Sequence, residues 1–234
     1  MISNAEIKLI RSLREKKFRD LSGMFTVEGE KMVGEAVSSG FKVEKIWKIE
    51  DIGREAMSRI SSFSSPSPVL ALVRKPEPEK GVEECRGLCL ALDSVRDPGN
   101  MGTIIRICDW FGIEKLFVSG DCVEIYNPKV IQSSMGSIFR VPVVTVDIAE
   151  TCRRFNAAGL PVYGTFLDGT DIYSNGLSGE GLIIMGNESN GICAAVEKEV
   201  NSRLRIPSYG NSGAESLNVA VATAVTVAEF RRRK

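Results

Sequence analysis

From Leu88 to the C-terminus, short apolar runs alternate with longer amphipathic stretches, and this alternation restricts the fold more than any other feature of the chain. Leu88–Leu92 is apolar throughout, the pattern of a strand buried on both faces of a parallel sheet. Asp97-Pro98 then opens a helix: the carboxylate caps free N–H groups, and proline suits the first helical position, where its missing N–H costs nothing. That helix runs to Trp110 or Phe111 and closes at Gly112. Further strands are expected at residues 115–119, 141–146, 161–166, 182–185 and 204–206, and further helices at 128–139, 148–158, 192–198 and 216–232. Strands alternating with helices imply a parallel sheet covered on both faces.

The first third of the chain alternates too, in smaller pieces. Residues 4–15 read as a helix with Ile7, Ile10 and Leu13 near one face, and 31–38 as a helix closed by Gly40. Strands are expected at 24–27, 43–49 and 69–73, with a helix at 54–60. Residues 75–81 (Lys-Pro-Glu-Pro-Glu-Lys-Gly) are charged, proline-containing and free of large apolar side chains, so they read as a linker. The chain is therefore α/β with a small N-terminal domain at 1–80 and a larger parallel-sheet domain at 81–234. Its 234 residues, 43% hydrophobic and 26% charged, suffice for two globular cores.

Histidine is absent, which excludes Ser-His-Asp and Cys-His catalysis and every histidine-containing zinc site, so no metal is expected. A general base must come from Asp, Glu, Lys, Tyr, Cys or an unusually placed Arg. The six cysteines form no C-x-x-C pair and read as free, small buried side chains. No apolar run approaches the roughly 20 residues of a membrane span, and the N-terminus lacks an apolar signal core, so no membrane association and a cytoplasmic location are expected. Net charge is zero, but residues 1–20 hold six basic side chains (Lys8, Arg11, Arg14, Lys16, Lys17, Arg19) against three acidic ones. By charge alone that cluster is either a solvated face or a phosphate-binding surface.

Three loops that follow expected strands are unusual in composition. Ligands in parallel sheets bind beyond the carboxyl ends of strands. The first loop carries Arg96, Asn100 and Arg106 around a helix start, with Gly99 and Gly102 permitting close approach. Helical spacing stacks Gly102 and Thr103 on the face of Arg106. The second, Met185-Gly-Asn-Glu-Ser-Asn-Gly191, holds two glycines, two asparagines and a carboxylate. It is neither a P-loop nor the G-x-G-x-x-G of dinucleotide-binding folds. The third runs from Ile206-Pro207 through two glycines to Glu215, Ser216 and Asn218 at the start of the last helix, where Ser and Asn also serve as ordinary caps.

Taken together, these segments resemble the SpoU (TrmH-type) family of RNA 2′-O-ribose methyltransferases in the SPOUT superfamily. The resemblance rests on N-x-G-x-x-x-R at 100–106, M-G-N-E-x-x-G at 185–191, and I-P with S-L-N-V-A-V-A at 206–207 and 216–222. Phe25-Thr-Val-Glu-Gly, after a basic helix, resembles the F-x-V-E-G of the family's small α/β RNA-binding domain.

The resemblance implies a trefoil knot in the catalytic domain, where general rules alone would give an unthreaded doubly wound sheet. It implies S-adenosyl-L-methionine as cofactor, held at Thr165, Phe166, Leu167, Met185, Gly186, Asn187, Gly191, Ile206 and Leu217. It places Arg106 nearest the chemistry, either taking the proton of the ribose hydroxyl or binding phosphate while solvent takes it. Asn100, Glu188, Ser216 and Asn218 would line the same site. It further implies a homodimer, with 216–232 and 127–140 as candidate interface elements, and RNA contacts from the basic N-terminal helix. Ribosomal RNA is favoured over transfer RNA. The alternatives are a tRNA ribose methyltransferase and a non-catalytic RNA-binding or ribosome-assembly protein on the same fold.

Overall fold

A computed structural model describes residues 2–77, 85–174, 176–210 and 216–232. Most of the expected linker, the boundary after residue 80, Glu215 and the end of the basic tail lie outside the described residues. In chain order the elements are α1 (Asn4–Ser12), α2 (Lys16–Ser22), β1 (Met24–Glu28), α3 (Glu30–Ser38), β2 (Val43–Lys48), α4 (Ile49–Ile52), α5 (Arg54–Ile60) and β3 (Val69–Arg74). Then come β4 (Leu88–Leu92), α6 (Pro98–Phe111), β5 (Leu116–Val118), α7 (Pro128–Ser134), a 3-10 turn at Ser137–Phe139, β6 (Val143–Thr145) and α8 (Ile148–Ala157). The last elements are β7 (Val162–Asp171), β8 (Gly181–Met185), α9 (Ala194–Glu197), β9 (Ser202–Arg205) and α10 (Val219–Arg232).

Packing divides the chain into two compact units. The first combines Met1–Pro78 with Glu124–Arg140; the second combines Glu79–Val123 with Val141–Lys234. Thus 124–140, inside the 81–234 stretch by sequence, packs in the first unit.

The first unit contains an antiparallel sheet ordered β1-β3-β2. Ile7, Ile10 and Leu13 meet Trp47, Met57, Ile60, Leu70 and Leu72 in one core. The expected helix 4–15 stops at Ser12, and the chain turns through Leu13–Glu15 before α2. That break sets the position of Arg19. Its side chain is 2% exposed, and Nη1 donates to the carbonyls of Leu13 and Arg14 at 2.8 and 2.9 Å. Its Nε and Nη2 reach Glu124 Oε2 at 2.8 and 2.6 Å. Helix α3 ends at Ser39 in extended backbone rather than at Gly40, with the Ser39 hydroxyl and N–H both on the Ala36 carbonyl. The expected helix 128–139 also breaks, because Met135 (φ 50°) and Gly136 (φ 96°) take left-handed backbone before the 3-10 turn.

In the second unit, six strands run parallel in the order β6-β5-β4-β8-β7-β9. Every residue of β4 and β8 is buried, the burial expected of central strands covered on both faces. Phe117 and Phe155 pack edge-to-face at 6.2 Å within that core. Helix α6 has the expected caps: the Asp97 side chain accepts from the Asn100 N–H, and Gly112 closes it at φ 60°. The Arg231 side chain donates to the carbonyls of Phe111 and Gly112 at 2.7 and 2.5 Å, tying α10 to the end of α6.

Two elements differ from expectation in ways that shape the site. Strand β7 extends to Asp171 instead of ending at 166. It pairs with β9 at Thr165 and again at Thr170, both opposite Leu204, so residues 166–169 arch away between the two pairings. Helix α10 begins at Val219, not Ser216. Asn218 caps it, with Oδ1 accepting from the N–H groups of Ala220 and Val221 at 3.0 and 3.3 Å.

All six cysteines are free; Cys85, Cys89, Cys108 and Cys152 are buried, and burial pushes the Cys152 thiol up to about 12. Among the described residues no helix is long and apolar enough to cross a membrane. No cluster of metal-ligating side chains occurs among them either.

Candidate active site

The carboxyl ends of β4, β8 and β9 lead into the three loops singled out by sequence. After β4 the chain turns sharply at Ser94, whose φ is 61°. Asp93, 4% exposed, accepts from the Cys193 N–H at 2.7 Å and so ties the β4 end to the loop after β8. The Ser94 N–H donates to Ser119 Oγ at 2.9 Å, and the Ser94 hydroxyl to Asp121 Oδ2 at 2.6 Å. The hydroxyls of Ser119 and Ser94 hold the Asp121 carboxyl down at about 2. Sequence reading missed Asp93, Ser94, Ser119 and Asp121. The only local signal was the string of small polar residues after two buried strands.

The loop after β8 is built by Asn187. Its amide donates to the Ser94 carbonyl at 2.7 Å, and its Oδ1 accepts from the N–H groups of Ser189 and Asn190 at 2.9 and 3.1 Å. The backbones of Asn187 and Gly191 exchange two hydrogen bonds, each 2.9 Å. A Cβ on Gly186 would lie 2.3 Å from the Gly191 carbonyl carbon, so only glycine permits this closure. Asn187 and Gly191, expected to hold the cofactor, use their backbone groups on each other. Their observed work is to fix the shape of this turn.

Glu188 projects from that turn into a chain of side chains. Asn100 Nδ2 donates to Glu188 Oε1 at 2.7 Å, and Asn218 Nδ2 donates to Asn100 Oδ1 at 3.0 Å. These contacts join residues 88 and 118 positions apart. Each amide is oriented by its other bonds: the Asn100 N–H is fixed on Asp97, and the Asn218 Oδ1 is fixed on the start of α10. Arg106 lies on α6, less than two turns beyond Asn100. It is exposed and makes no hydrogen bond or ion pair with any described residue. Ser216 is exposed, ahead of α10, and is not joined to the network by a hydrogen bond.

The expected cofactor residues fall at the ends of β7, β8 and β9. Pairing of β7 with β8 ends at Gly164 opposite Ile184, which leaves the backbone of Thr165 and Phe166 outside that ladder. The Thr165 hydroxyl donates to the Ile184 carbonyl at 3.1 Å. Leu167 on the arch and Leu217 before α10 are large apolar side chains left 72% and 50% exposed. Met185 is buried and Ile206 half-buried at the same edge of the sheet.

The basic set at the N-terminus divides. Lys8, Arg11 and Lys17 are exposed and unpaired among the described residues; Lys16 pairs with Asp20 at 2.6 Å. Arg14 is exposed, with Nη2 on the Ser61 carbonyl at 2.6 Å. Arg19 leaves the phosphate-binding set, because its guanidinium is buried and saturated by Glu124 and two carbonyls.

The SpoU rRNA Methylase family matches residues 87–228, and the MRM3-like substrate binding domain matches residues 4–71. The chain is similar to the 23S rRNA (guanosine(2553)-2'-O)-methyltransferase RlmP of Bacillus subtilis, 31% identical over 97% of this chain and 96% of that protein. Among solved structures, a TrmH-family protein of Porphyromonas gingivalis superposes with a TM-score of 0.91 at 37% identity, covering 100% of both chains. An AdoMet-bound rRNA methyltransferase from Sinorhizobium meliloti superposes with a TM-score of 0.88 at 29% identity, covering 100% of this chain and 96% of that one. With three converging loops at the strand ends and these matches, the chain belongs to the SpoU rRNA methylase family.

Proposed function

We propose that this protein transfers a methyl group from S-adenosylmethionine to a ribose 2′-hydroxyl of ribosomal RNA. The observation that carries the proposal is the hydrogen-bonded chain Asn218–Asn100–Glu188, which draws the loops after β4, β8 and β9 together at the start of the helix that also carries Arg106, an arginine without a partner among the described residues.

The residues at the strand ends fit the donor. Backbone groups past the last β7–β8 pairing are available for an adenosine, and Leu167 and Leu217 offer exposed apolar surface. When bound, S-adenosylmethionine supplies an electrophilic methyl group on a sulfonium. Thr165, Phe166, Leu167, Met185, Gly186, Ile206 and Leu217 hold it in this reading, and Asn187 and Gly191 keep the turn around it in shape.

Arg106 then faces the RNA. A guanidinium without a partner among the described residues is available to a phosphate in a two-pronged contact. It orients the ribose hydroxyl while solvent removes the proton, or, having first given up its own proton, takes that proton as a neutral guanidine. The first route asks less of a guanidinium, which has no lone pair to accept a proton until it has lost one. Asn100, Asn218 and Ser216 position the RNA, and Glu188 orients the Asn100 amide. Lys8, Arg11, Arg14, Lys16 and Lys17 contact phosphate along the substrate. The reading includes a trefoil knot in the parallel-sheet unit, a homodimer and a cytoplasmic location. The exposed Val221 and Trp110 (50% and 84%) support a subunit contact through the α10 and α6 surface, which sedimentation tests.

Arg106→Ala tests the assignment. The variant should fold and bind S-adenosylmethionine, with kcat on ribosomal RNA reduced on the order of a hundredfold or more, as when an oriented charged donor is removed. Full activity removes Arg106 from the mechanism. Wild-type protein that fails to bind S-adenosylmethionine in calorimetry favours the non-catalytic RNA-binding alternative.

A further inference from the structure

Arg203 of β9 stands outside the loops described above, yet it touches the arch of β7 in two ways. Its guanidinium carbon lies 3.6 Å over the Phe166 ring, and its Nη2 donates to Asp168 Oδ1 at 2.6 Å. Its Nη1 donates to Glu197 Oε1 of α9 at 2.5 Å. A planar guanidinium can stack by its face and donate from its edge at the same time, which an ammonium cannot do. The arch is otherwise lightly held. Asp168 and Leu167 are exposed, and the backbone leaves its ladder between Thr165 and Thr170. Two glycines make the closure possible. A Cβ on Gly169 would lie 2.5 Å from the Leu204 carbonyl carbon, and one on Gly164 would lie 2.5 Å from Phe166 Cε2.

We propose that Arg203 is a positioning residue for the methyl-donor site, locking the 166–169 arch so that Phe166 and Leu167 are preset for the donor. The inference rests on the reading of this sheet edge as the donor site. Exposed ion pairs do little for global stability, so this three-way contact acts locally. A loop already ordered in its bound shape avoids an ordering cost when ligand arrives.

Calorimetric titration with S-adenosylmethionine and steady-state kinetics on in vitro transcribed ribosomal RNA test the proposal. In Arg203→Ala the donor Kd and KM should rise about tenfold, with kcat within about twofold of wild type. The melting temperature should stay near that of wild type. Arg203→Lys should resemble the alanine variant more than wild type, because charge alone does not restore stacking and the two-pronged contact. Asp168→Asn should shift donor affinity in the same direction by less. A folded Arg203→Ala protein with unchanged donor affinity, or with reduced kcat and unchanged KM, overturns the proposal. Should Arg203→Ala fail to fold, unchanged donor affinity in Asp168→Asn overturns it instead. Wild-type protein that does not bind the donor overturns the donor-site reading and this proposal together; wild-type binding with unaffected variants overturns this proposal alone.

Discussion

Arg19 and Arg106 both lie on helices, Arg19 in a polar stretch and Arg106 among Ile104, Ile105 and Ile107, yet each ends in the environment opposite to that setting. Arg19 is 2% exposed and saturated by Glu124 and two carbonyls, whereas Arg106 is exposed without a described partner. Removing one member of a buried pair leaves the other charge uncompensated, so Arg19→Ala should destabilise the protein by about 3–5 kcal/mol in chemical denaturation. A surface role for Arg19 would instead show as weakened RNA binding at nearly unchanged stability. Asn218 combines a cap with a site contact. Asn218→Ala should lose about 1 kcal/mol from the cap and also release the Asn100 amide, so activity should fall more than stability does. Asp121 gives a pH signature. Its folded carboxyl sits at about 2, below its ordinary 3.8, because the Ser119 and Ser94 hydroxyls favour the charged form. A lowered folded pKa contributes stability that is present above the unfolded value and lost as pH falls through the folded one. Asp121→Asn should therefore flatten the stability–pH curve between about pH 4 and pH 2, measured by urea unfolding. An equally steep curve in the variant would remove Asp121 from the acid response.

At the scale of elements, capping residues and burial patterns made most of the second unit legible. Asp97-Pro98 and Gly112 bound α6 as expected, and the all-apolar runs of β4 and β8 became the two central strands. Three misreadings share a feature: a long-range contact accompanies the departure from local preference. Residues 216–218 look like the first turn of a helix by composition, but the Asn218 side chain caps α10 and reaches Asn100 at once, so the helix begins at Val219. Residues 128–139 are apolar at helical spacing, yet Gly136 turns left-handed where an added Cβ would lie 2.9 Å from Glu35 Cγ. The β7 arch left no hydrophobic period to detect, because its shape depends on Leu204 and Arg203 of another strand. Phe155 tests the core beneath that edge: fully buried against Phe117, it should cost about 3–5 kcal/mol when replaced by alanine.

For the whole molecule, the division into packed units matters for experiment. Removing residues 1–80 would strip 124–140 of the unit in which it packs, exposing Val130, Ile131 and Phe139. Charge reversal is the cleaner probe. Lys8→Glu, Arg11→Glu and Lys17→Glu together should weaken RNA binding and shallow its salt dependence by about 0.7 per lost single-strand phosphate contact. Donor affinity should stay at the wild-type value; an unchanged salt slope would take these residues out of the RNA surface. The chain alone determined the α/β class, the order of strands and helices in the second unit, and the three loops that carry polar side chains. These follow from caps, glycines and burial patterns that act within a few residues. Only the tertiary structure decided that Asn100, Glu188 and Asn218 share hydrogen bonds, that Arg19 is a buried strut, and that Arg203 clamps an arch. Those outcomes depend on partners up to 118 positions away, and a side chain's charge does not say which distant group will meet it.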